Sequence, residues 1–169
     1  MGELTQQRLK ELLEYDEDTG EFTWLISLSN RGVIGQAVGS TRDDDYRVTS
    51  IYGKPYLMHR LAFLYMTGEF PKLWIDHINK DPSDNRWINL RECSPSQNNH
   101  NRALQRQNNS GYKGIGWLPK IQKWRARITI NGKEIHLGVY IDIRDAINNW
   151  NKAALEHHKE FATIQQYKG

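Results

Sequence analysis

The chain of 169 residues, 38% hydrophobic and 25% charged, has enough apolar material for one or two small soluble domains. Its single cysteine excludes an internal disulfide, no apolar run approaches the roughly 20 residues of a membrane span, and the N-terminal segment lacks a signal-peptide core, so a reducing cytoplasm is expected. Residues 1–102 carry 12 Lys and Arg against 15 Asp and Glu, whereas residues 103–169 carry 11 against 5, which is typical either of a nucleic-acid-binding region or of a solvated surface.

The first seventy residues predict short helices and hairpins. Leucines at helical spacing follow Thr5, which is suited to cap a helix, and Gly68 is suited to end a second helix. His59 opens that second helix, where it is either a structural hydrogen-bonding residue or a contributor to a site. The predicted elements are a helix over residues 5–14, hairpins over 15–24 and 46–58, and a helix over 59–67.

The segment from Trp74 to Arg102 concentrates the residues suited to chemistry. Asp76 and His77 are adjacent, so on an extended backbone their side chains point to opposite sides. Asn89 comes twelve residues after His77 and Asn98 nine residues later, and a strand, a turn, a second strand and a helix would return Asn98 beside Asp76. This arrangement predicts a one-metal hydrolytic site, with two oxygen ligands and a histidine general base that does not bind the metal.

Turn and helix-start signals divide this segment in the way such a site needs. Residues 80–85 have the composition of a tight loop, which explains Asp81 and Asp84 better as turn residues than as catalytic carboxylates. Ser94-Pro95 offers an N-cap and a proline at the first helical position, so Asn98 falls in the first turn of a helix. Zinc is not indicated, because the cysteine and histidines have no paired ligand spacing. The apolar residues expected in the core of the two strands are Trp74, Ile75, Trp87, Ile88 and Leu90.

The segment resembles the HNH endonucleases, in particular the homing type of phages. The resemblance implies a ββα-metal fold over about residues 74–106, with His77 as the general base and Asp76 as the first metal ligand. In that pattern Asn89 ties the loop and helps to orient the histidine, and Asn98 is the helix-borne metal ligand. The matching residues are Asp76, His77, Asn85, Arg86, Asn89, Leu90, Arg91, Asn98, Asn99, Asn101 and Arg102.

The second ligand has alternatives, because Asn99, His100 and Asn101 crowd the same helix start and a slip of one residue would change the ligand. The resemblance implies a divalent ion, with Mg²⁺ expected and Mn²⁺ as the alternative. Arg91 and Arg102 are expected to contact DNA.

After Arg102 the composition changes. A polar stretch without periodicity predicts a linker with a domain boundary near Gln107, and Asn131-Gly132 is a hairpin signal further on. The predicted elements are strands over 114–118, 123–130 and 133–140 and a helix from about Ile143 with Asp142 as its N-cap. On the central strand one face carries Trp124, Ala126, Ile128 and Ile130, and the other carries Lys123, Arg125, Arg127 and Thr129.

This region resembles the AP2 DNA-binding domain. The resemblance rests on Tyr112 to Ile115, the Lys123-Trp124 step, the sheet-closing Leu137, Gly138 and Tyr140, and the Ala-rich helix. It implies that the sheet lies in the major groove of DNA. The alternative is a basic sheet face that is merely solvated. The residues expected to face DNA are Lys113, Trp117, Lys123, Arg125, Arg127 and Lys133.

Together these features predict an α+β chain. Residues 1–106 would form an HNH nuclease domain, a ββα-metal unit preceded by helix and hairpin elements. Residues 107–169 would form an AP2-like domain, a three-stranded antiparallel sheet packed on one helix.

The two resemblances imply a phage-encoded, metal-dependent endonuclease in the host cytoplasm, cleaving double-stranded DNA to 5′-phosphate and 3′-hydroxyl ends. A single active unit without a dimerisation heptad favours a monomer that nicks one strand. One alternative is an AP2-type DNA-binding regulator with an inactive HNH scaffold, and another is a replication- or packaging-associated nuclease that acts on branched DNA.

Overall fold

The computed structural model describes residues 3–27, 33–95, 97–98, 108–130 and 132–168. It has the predicted mixed α+β architecture with small antiparallel sheets. The chain divides into two compact units, Met1–Cys93 and Ser94–Gly169. Gln107, near which the composition predicts a domain boundary, lies outside the described residues. No described helix combines the length and the apolar character needed to cross a membrane.

The described part of the first unit contains two helices and three small antiparallel sheets. In chain order its elements are α1 (Gln6–Leu12), β1 (Leu13–Asp16), β2 (Glu21–Trp24), β3 (Ser40–Thr41), β4 (Arg47–Ile51), β5 (Lys54–Leu57), α2 (Met58–Thr67), β6 (Trp74–His77), a 3₁₀ turn (Trp87–Asn89) and β7 (Leu90–Cys93). Strand β1 pairs with β2, β4 lies between β3 and β5, and β6 pairs with β7.

Thr5 caps α1 as predicted, since its hydroxyl accepts a hydrogen bond from the Arg8 backbone N–H at 3.2 Å.

One apolar core holds the elements of the first unit together. The core also contains Ile75 of β6 and Leu90 of β7, and each fully buried side chain of this kind contributes about 1.5–3 kcal/mol to folding. The apolar core therefore anchors both strands that carry the candidate site.

Two expected core residues are exposed instead. Trp74 is 57% exposed, because neighbouring side chains alternate along β6 and Ile75 takes the core side. Ile88 is 82% exposed, because Trp87–Asn89 forms a 3₁₀ turn and the second strand begins only at Leu90. Trp87 is partly buried and packs on the core.

The second unit contains the predicted three strands and helix. They are β8 (Ile115–Leu118), β9 (Lys123–Ile130), β10 (Lys133–Tyr140) and α3 (Ile143–His158), with β9 in the middle of the sheet. Asp142 caps α3 by accepting from the Arg144 N–H at 2.8 Å. Asn131 of the predicted hairpin turn lies outside the described residues.

The helix α3 packs on one face of this sheet, where Ala126 and Ile128 meet Ile147 and Trp150 in a second apolar core. Gly114 allows this packing, because a Cβ there would lie 2.0 Å from the Arg127 carbonyl oxygen and 2.4 Å from Trp150 Nε1. Residue 114 must therefore be glycine for the strand and helix to approach this closely.

Candidate active site

The acid–histidine step lies on β6, against β7. In the antiparallel pairing Asp76 is opposite Arg91 and His77 is opposite Leu90. Asp76 and His77 are each only 5% exposed. The two side chains have different partners, since the Asp76 carboxylate pairs with Arg91 and the His77 imidazole contacts Asn85.

Arg91 neutralises the buried carboxylate. Its Nε donates to Asp76 Oδ2 at 2.9 Å and its Nη2 donates to the same oxygen at 2.6 Å, with side chains 17% and 5% exposed. An ionised carboxylate buried to this extent costs several kcal/mol unless a paired charge offsets the lost hydration. Arg91, predicted to contact DNA, therefore also stabilises the charge of Asp76 inside the unit.

Asn85 selects the tautomer of His77. Asn85 Nδ2 donates to the Ser83 carbonyl oxygen at 3.2 Å, so Oδ1 is the amide atom 3.3 Å from His77 Nε2. A carbonyl oxygen can only accept, so Nε2 carries the proton and Nδ1 carries the lone pair. This is the form of imidazole that can accept a proton at Nδ1.

The surroundings also keep His77 neutral. Burial lowers the pKa of His77, while the hydrogen bond to Asn85 and the negative charge of Asp76 oppose part of this shift. A neutral imidazole near pH 7 is the protonation state that a general base requires.

Two further rings flank His77. The ring centroids of Tyr46 and His59 lie 5.9 and 5.2 Å from the His77 centroid, and 5.4 Å from each other. His59 Nδ1 is buried and has no hydrogen-bond partner in the described parts of the chain. Burial, aided by the charges of His77 and Arg60, lowers the pKa of His59 to about 3. His59 is therefore a neutral group that packs against the candidate base.

Asn89 acts on the loop between the strands. Its Oδ1 accepts from the Asn79 backbone N–H at 3.0 Å, and its Nδ2 donates to the Asp84 carbonyl at 2.8 Å and to Asn79 Oδ1 at 3.1 Å. The loop-tying role expected of Asn89 therefore has a structural basis, whereas the side-chain contact with the His77 ring comes from Asn85.

The helix start predicted at Ser94 is present in the second unit. Gln97 N–H donates to Ser94 Oγ at 3.3 Å, and Ser94 N–H donates to Gln97 Oε1 at 2.8 Å, which is a capping box. Asn98 lies in this turn, half-buried, and its N–H donates to the Ser94 carbonyl at 3.0 Å. The predicted DNA contact Arg102 and the alternative ligands Asn99, His100 and Asn101 lie outside the described residues.

The donor chemistry fits magnesium better than zinc. The described residues contain no group of three or more His, Cys, Asp and Glu side chains that could hold a metal. Mg²⁺ is commonly bound through one or two protein carboxylates, with water and substrate phosphate completing its shell, whereas zinc takes nitrogen and sulfur ligands. The carboxylate of Asp76 and the amide oxygen of Asn98 are hard donors of the kind that Mg²⁺ prefers.

The strand register of the second unit separates the predicted DNA contacts. Arg125 and Arg127 lie opposite Gly116 and His136, on the sheet face that alternates with the α3-facing Ala126. Lys123 belongs to the same face by alternation.

Trp117 and Lys133 lie on the opposite face. Trp117 pairs with Trp124 and Lys133 pairs with Ile130, and residues directly opposite on paired strands share a face. Their register therefore places both residues on the α3 side of the sheet, away from the face of Arg125. Their contact with DNA stays a prediction.

The cations of the exposed face differ in their partners. Arg127 Nη1 lies 2.8 Å from Glu134 Oε2 in an exposed pair. Arg125 Nε is buried and has no hydrogen-bond partner among the residues that the structure describes.

Lys113, two residues before β8, is held through its backbone. The Gln165 side chain accepts a hydrogen bond from the Lys113 N–H at 2.5 Å and donates one to the Lys113 carbonyl at 3.1 Å.

Sequence reasoning assigned no role to Asn85 or Tyr46. Asn85 follows His77 by eight residues, and its position inside the matched pattern could have identified it. No local signal could have identified Tyr46, because it reaches His77 from a different hairpin.

Three comparisons with known proteins place the chain among its relatives. Residues 56–100 match a family model described as HNH endonuclease. Protein 3.8 of Escherichia phage T7 is 32% identical over 99 residues, which cover 58% of this chain and 81% of that protein. A solved structure described as "DNA binding and cleavage by the HNH homing endonuclease I-HmuI" is similar over 88% of this chain and 86% of that chain, at 18% identity and a TM-score of 0.40. The matched residues 56–100 contain Asp76, His77, Asn85, Asn89 and Arg91, and the match ends before the three-stranded sheet.

Proposed function

Because this chain belongs to the family of phage T7 Protein 3.8 and contains an HNH endonuclease domain, we propose that it is a metal-dependent endonuclease of the homing type. Its substrate is double-stranded DNA, which it hydrolyses to 5′-phosphate and 3′-hydroxyl ends. The observation that carries this proposal is the buried His77, whose Nε2 lies 3.3 Å from Asn85 Oδ1.

In this mechanism His77 is the general base. Nδ1 accepts a proton from a water molecule, and the resulting hydroxide attacks the phosphorus in line with the 3′ leaving oxygen. As Nδ1 takes up the proton, the ring becomes cationic, and the Asn85 amide oxygen stabilises the charged ring through the Nε2 proton. Asn89 preserves this geometry by holding the loop that carries Asn85.

Asp76 and Asn98 are the proposed metal ligands. A bound Mg²⁺ supplies positive charge for the scissile phosphate and for the leaving oxygen. The Asp76 carboxylate is buried, and its ion pair with Arg91 stabilises its negative charge. Asp76 would hold the metal through a carboxylate that also pairs with Arg91, and Arg91 is itself a proposed contact to DNA.

The proposed DNA-binding surface is the sheet of the second unit, by its resemblance to the AP2 domain. One face of this sheet carries Lys123, Arg125 and Arg127. Burying the Arg125 Nε–H without a hydrogen-bond partner costs free energy, and a hydrogen bond to a phosphate oxygen or a base edge of DNA would offset that cost. Lys113 is a further proposed contact with DNA. Arg102 is proposed as well and lies outside the described residues. Phosphate contacts of this kind give affinity that falls with salt concentration.

A single catalytic histidine in one chain favours a monomer that nicks one strand. The direct test is to incubate the purified protein with Mg²⁺ or Mn²⁺ and a library of randomised duplex DNA, and to sequence the ends. We expect discrete cleavage sites, 5′-phosphate and 3′-hydroxyl termini, and complete loss of cleavage when a chelator is added.

The competing function, a DNA-binding regulator with an inactive HNH scaffold, predicts a different result. In that case the library is bound in a sequence-dependent and salt-dependent way but remains intact with either metal. Cleavage restricted to branched substrates would instead favour a nuclease associated with replication or packaging.

A further inference from the structure

The N-terminal hairpin, β1 and β2, contacts the loop that carries Asn85 at three points. The Tyr15 hydroxyl donates to the Asn85 carbonyl oxygen at 2.7 Å, and the Trp87 N–H donates to the Glu17 carbonyl at 3.0 Å. At the turn of the hairpin, a Cβ on Gly20 would lie 2.4 Å from the Arg86 nitrogen and 2.5 Å from the Asn85 carbonyl carbon. The hairpin and the loop are therefore in backbone-to-backbone contact.

Asn85 joins this contact to the candidate base. Its backbone carbonyl accepts from Tyr15, while its side-chain amide reaches His77 Nε2 and the Ser83 carbonyl. Asn85 is only 2% exposed. Because the backbone and the side chain of one fully packed residue carry both contacts, a shift of the loop backbone moves the amide oxygen relative to the imidazole.

The hairpin is itself fixed on the core. The Tyr15 ring packs on Phe22 at 4.6 Å and on Tyr65 of α2 at 5.6 Å. Burial raises the pKa of the Tyr15 hydroxyl well above its ordinary value, so the group remains a proton donor at every physiological pH. A rigid donor of this kind can hold the Asn85 carbonyl in one place.

We propose that the N-terminal hairpin orients the catalytic base, with Tyr15 and Gly20 as positioning residues that act on His77 through Asn85. This inference rests on the proposed function in one respect, since it takes His77 to be the base of a nuclease. Its structural content, that Tyr15 sets the orientation and tautomer of His77, is independent of cleavage.

The test uses Tyr15→Phe, which keeps the ring packing and removes the hydroxyl. The matched control is Tyr65→Phe in the same aromatic cluster, since the Tyr65 hydroxyl makes no hydrogen bond within the described residues. For each full-length variant, the imidazole nitrogen shifts of His77 are measured by NMR in the metal-free protein. The single-turnover cleavage rate and the dissociation constant for DNA are measured with Mg²⁺.

In the wild type we expect His77 to show one tautomer, protonated at Nε2. Loss of the Tyr15 hydrogen bond should give averaged nitrogen shifts and a cleavage rate lower by about tenfold, the effect of one ordinary hydrogen bond. The dissociation constant for DNA should stay unchanged, and Tyr65→Phe should match the wild type in all three measurements. Gly20→Ala should lower the rate at least as much, since Asn85 and Arg86 must move to admit the methyl group.

Unaltered His77 shifts together with a wild-type cleavage rate in Tyr15→Phe would overturn the inference. A wild-type protein that binds DNA but does not cleave it would overturn the proposed function instead. In that case the His77 shifts alone decide whether the hairpin orients the imidazole.

Discussion

The two units of the chain differ in how many polar side chains they bury. The described part of the first unit buries five polar side chains to 5% exposure or less, and in the described part of the second unit His158 is the buried polar residue. His158 makes a structural contact, since its Nε2 lies 3.2 Å from the Thr129 carbonyl oxygen at the end of the sheet. The five side chains of the first unit are His59, Asp76, His77, Asn85 and Asn89.

This difference is consistent with the separate functions proposed for the two units. Each buried polar group that lacks a partner costs about 1–3 kcal/mol, and a buried charge costs more. Four of the five buried groups in the first unit are hydrogen-bonded, which offsets this cost and fixes their geometry, as the proposed site requires. The second unit instead has an apolar core and displays its cations on an exposed sheet face, which is suited to binding a polyanion.

The largest effect on stability should come from breaking the buried ion pair of the first unit. Arg91→Ala leaves the Asp76 carboxylate buried without its cation, which should lower the free energy of unfolding of that unit by about 3–5 kcal/mol. Hydrogen exchange at the amides of β6 and β7 measures this loss locally.

The matched control for that experiment is Arg127→Ala in the second unit. Its pair with Glu134 has side chains 46% and 55% exposed, so its loss should change the stability of the second unit by less than about 1 kcal/mol. Equal losses in the two units would mean that burial does not distinguish the pairs.

A second effect should appear in the pH dependence of stability. The pKa of His59 is about 3 in the folded chain, below its ordinary value of 6.5, so the unfolded chain takes up a proton first as the pH falls. The free energy of unfolding should therefore be constant above about pH 7 and fall by about 1.4 kcal/mol per unit between about pH 6 and pH 4.

His59→Gln removes this contribution, so urea unfolding followed across that pH range should give a flatter profile for the variant. His157→Gln provides the control, because His157 is exposed. A wild-type slope in His59→Gln would show that other groups cause the acid sensitivity.

The third effect concerns DNA binding by the second unit. Arg125→Ala combined with Arg127→Ala should lower the slope of log affinity against log salt by roughly 2, because two phosphate contacts are lost. Binding titrations at several salt concentrations measure this slope.

Lys133→Ala is the informative comparison, since Lys133 pairs with Ile130 on the other face of the sheet. It should leave the slope nearly unchanged. If Lys133→Ala lowers the slope as much as the double variant does, the face that contacts DNA has been assigned incorrectly.

Sequence reasoning succeeded where the signals are local. The helix start at Ser94 needs only a cap residue, a proline and a glutamine within four positions, and the structure shows the resulting capping box. The hairpins and the central strand of the second unit follow equally from short-range alternation and turn residues.

The failures have a common physical cause. Whether Trp74 or Ile88 points inward depends on the register and on the neighbouring element, which periodicity alone does not determine. The contact of Asn85 with Tyr15 could not be predicted, because it spans 70 positions of the chain.

The central claim is that His77 is the base of a nuclease site, and comparison of wild type with His77→Ala tests it most directly. Initial rates of plasmid cleavage with Mg²⁺ are measured beside the dissociation constant for the same DNA. Removal of a general base should lower the rate by about 10²- to 10⁴-fold and leave binding largely unchanged. Equal cleavage by the two proteins, or intact plasmid with both, would contradict the account.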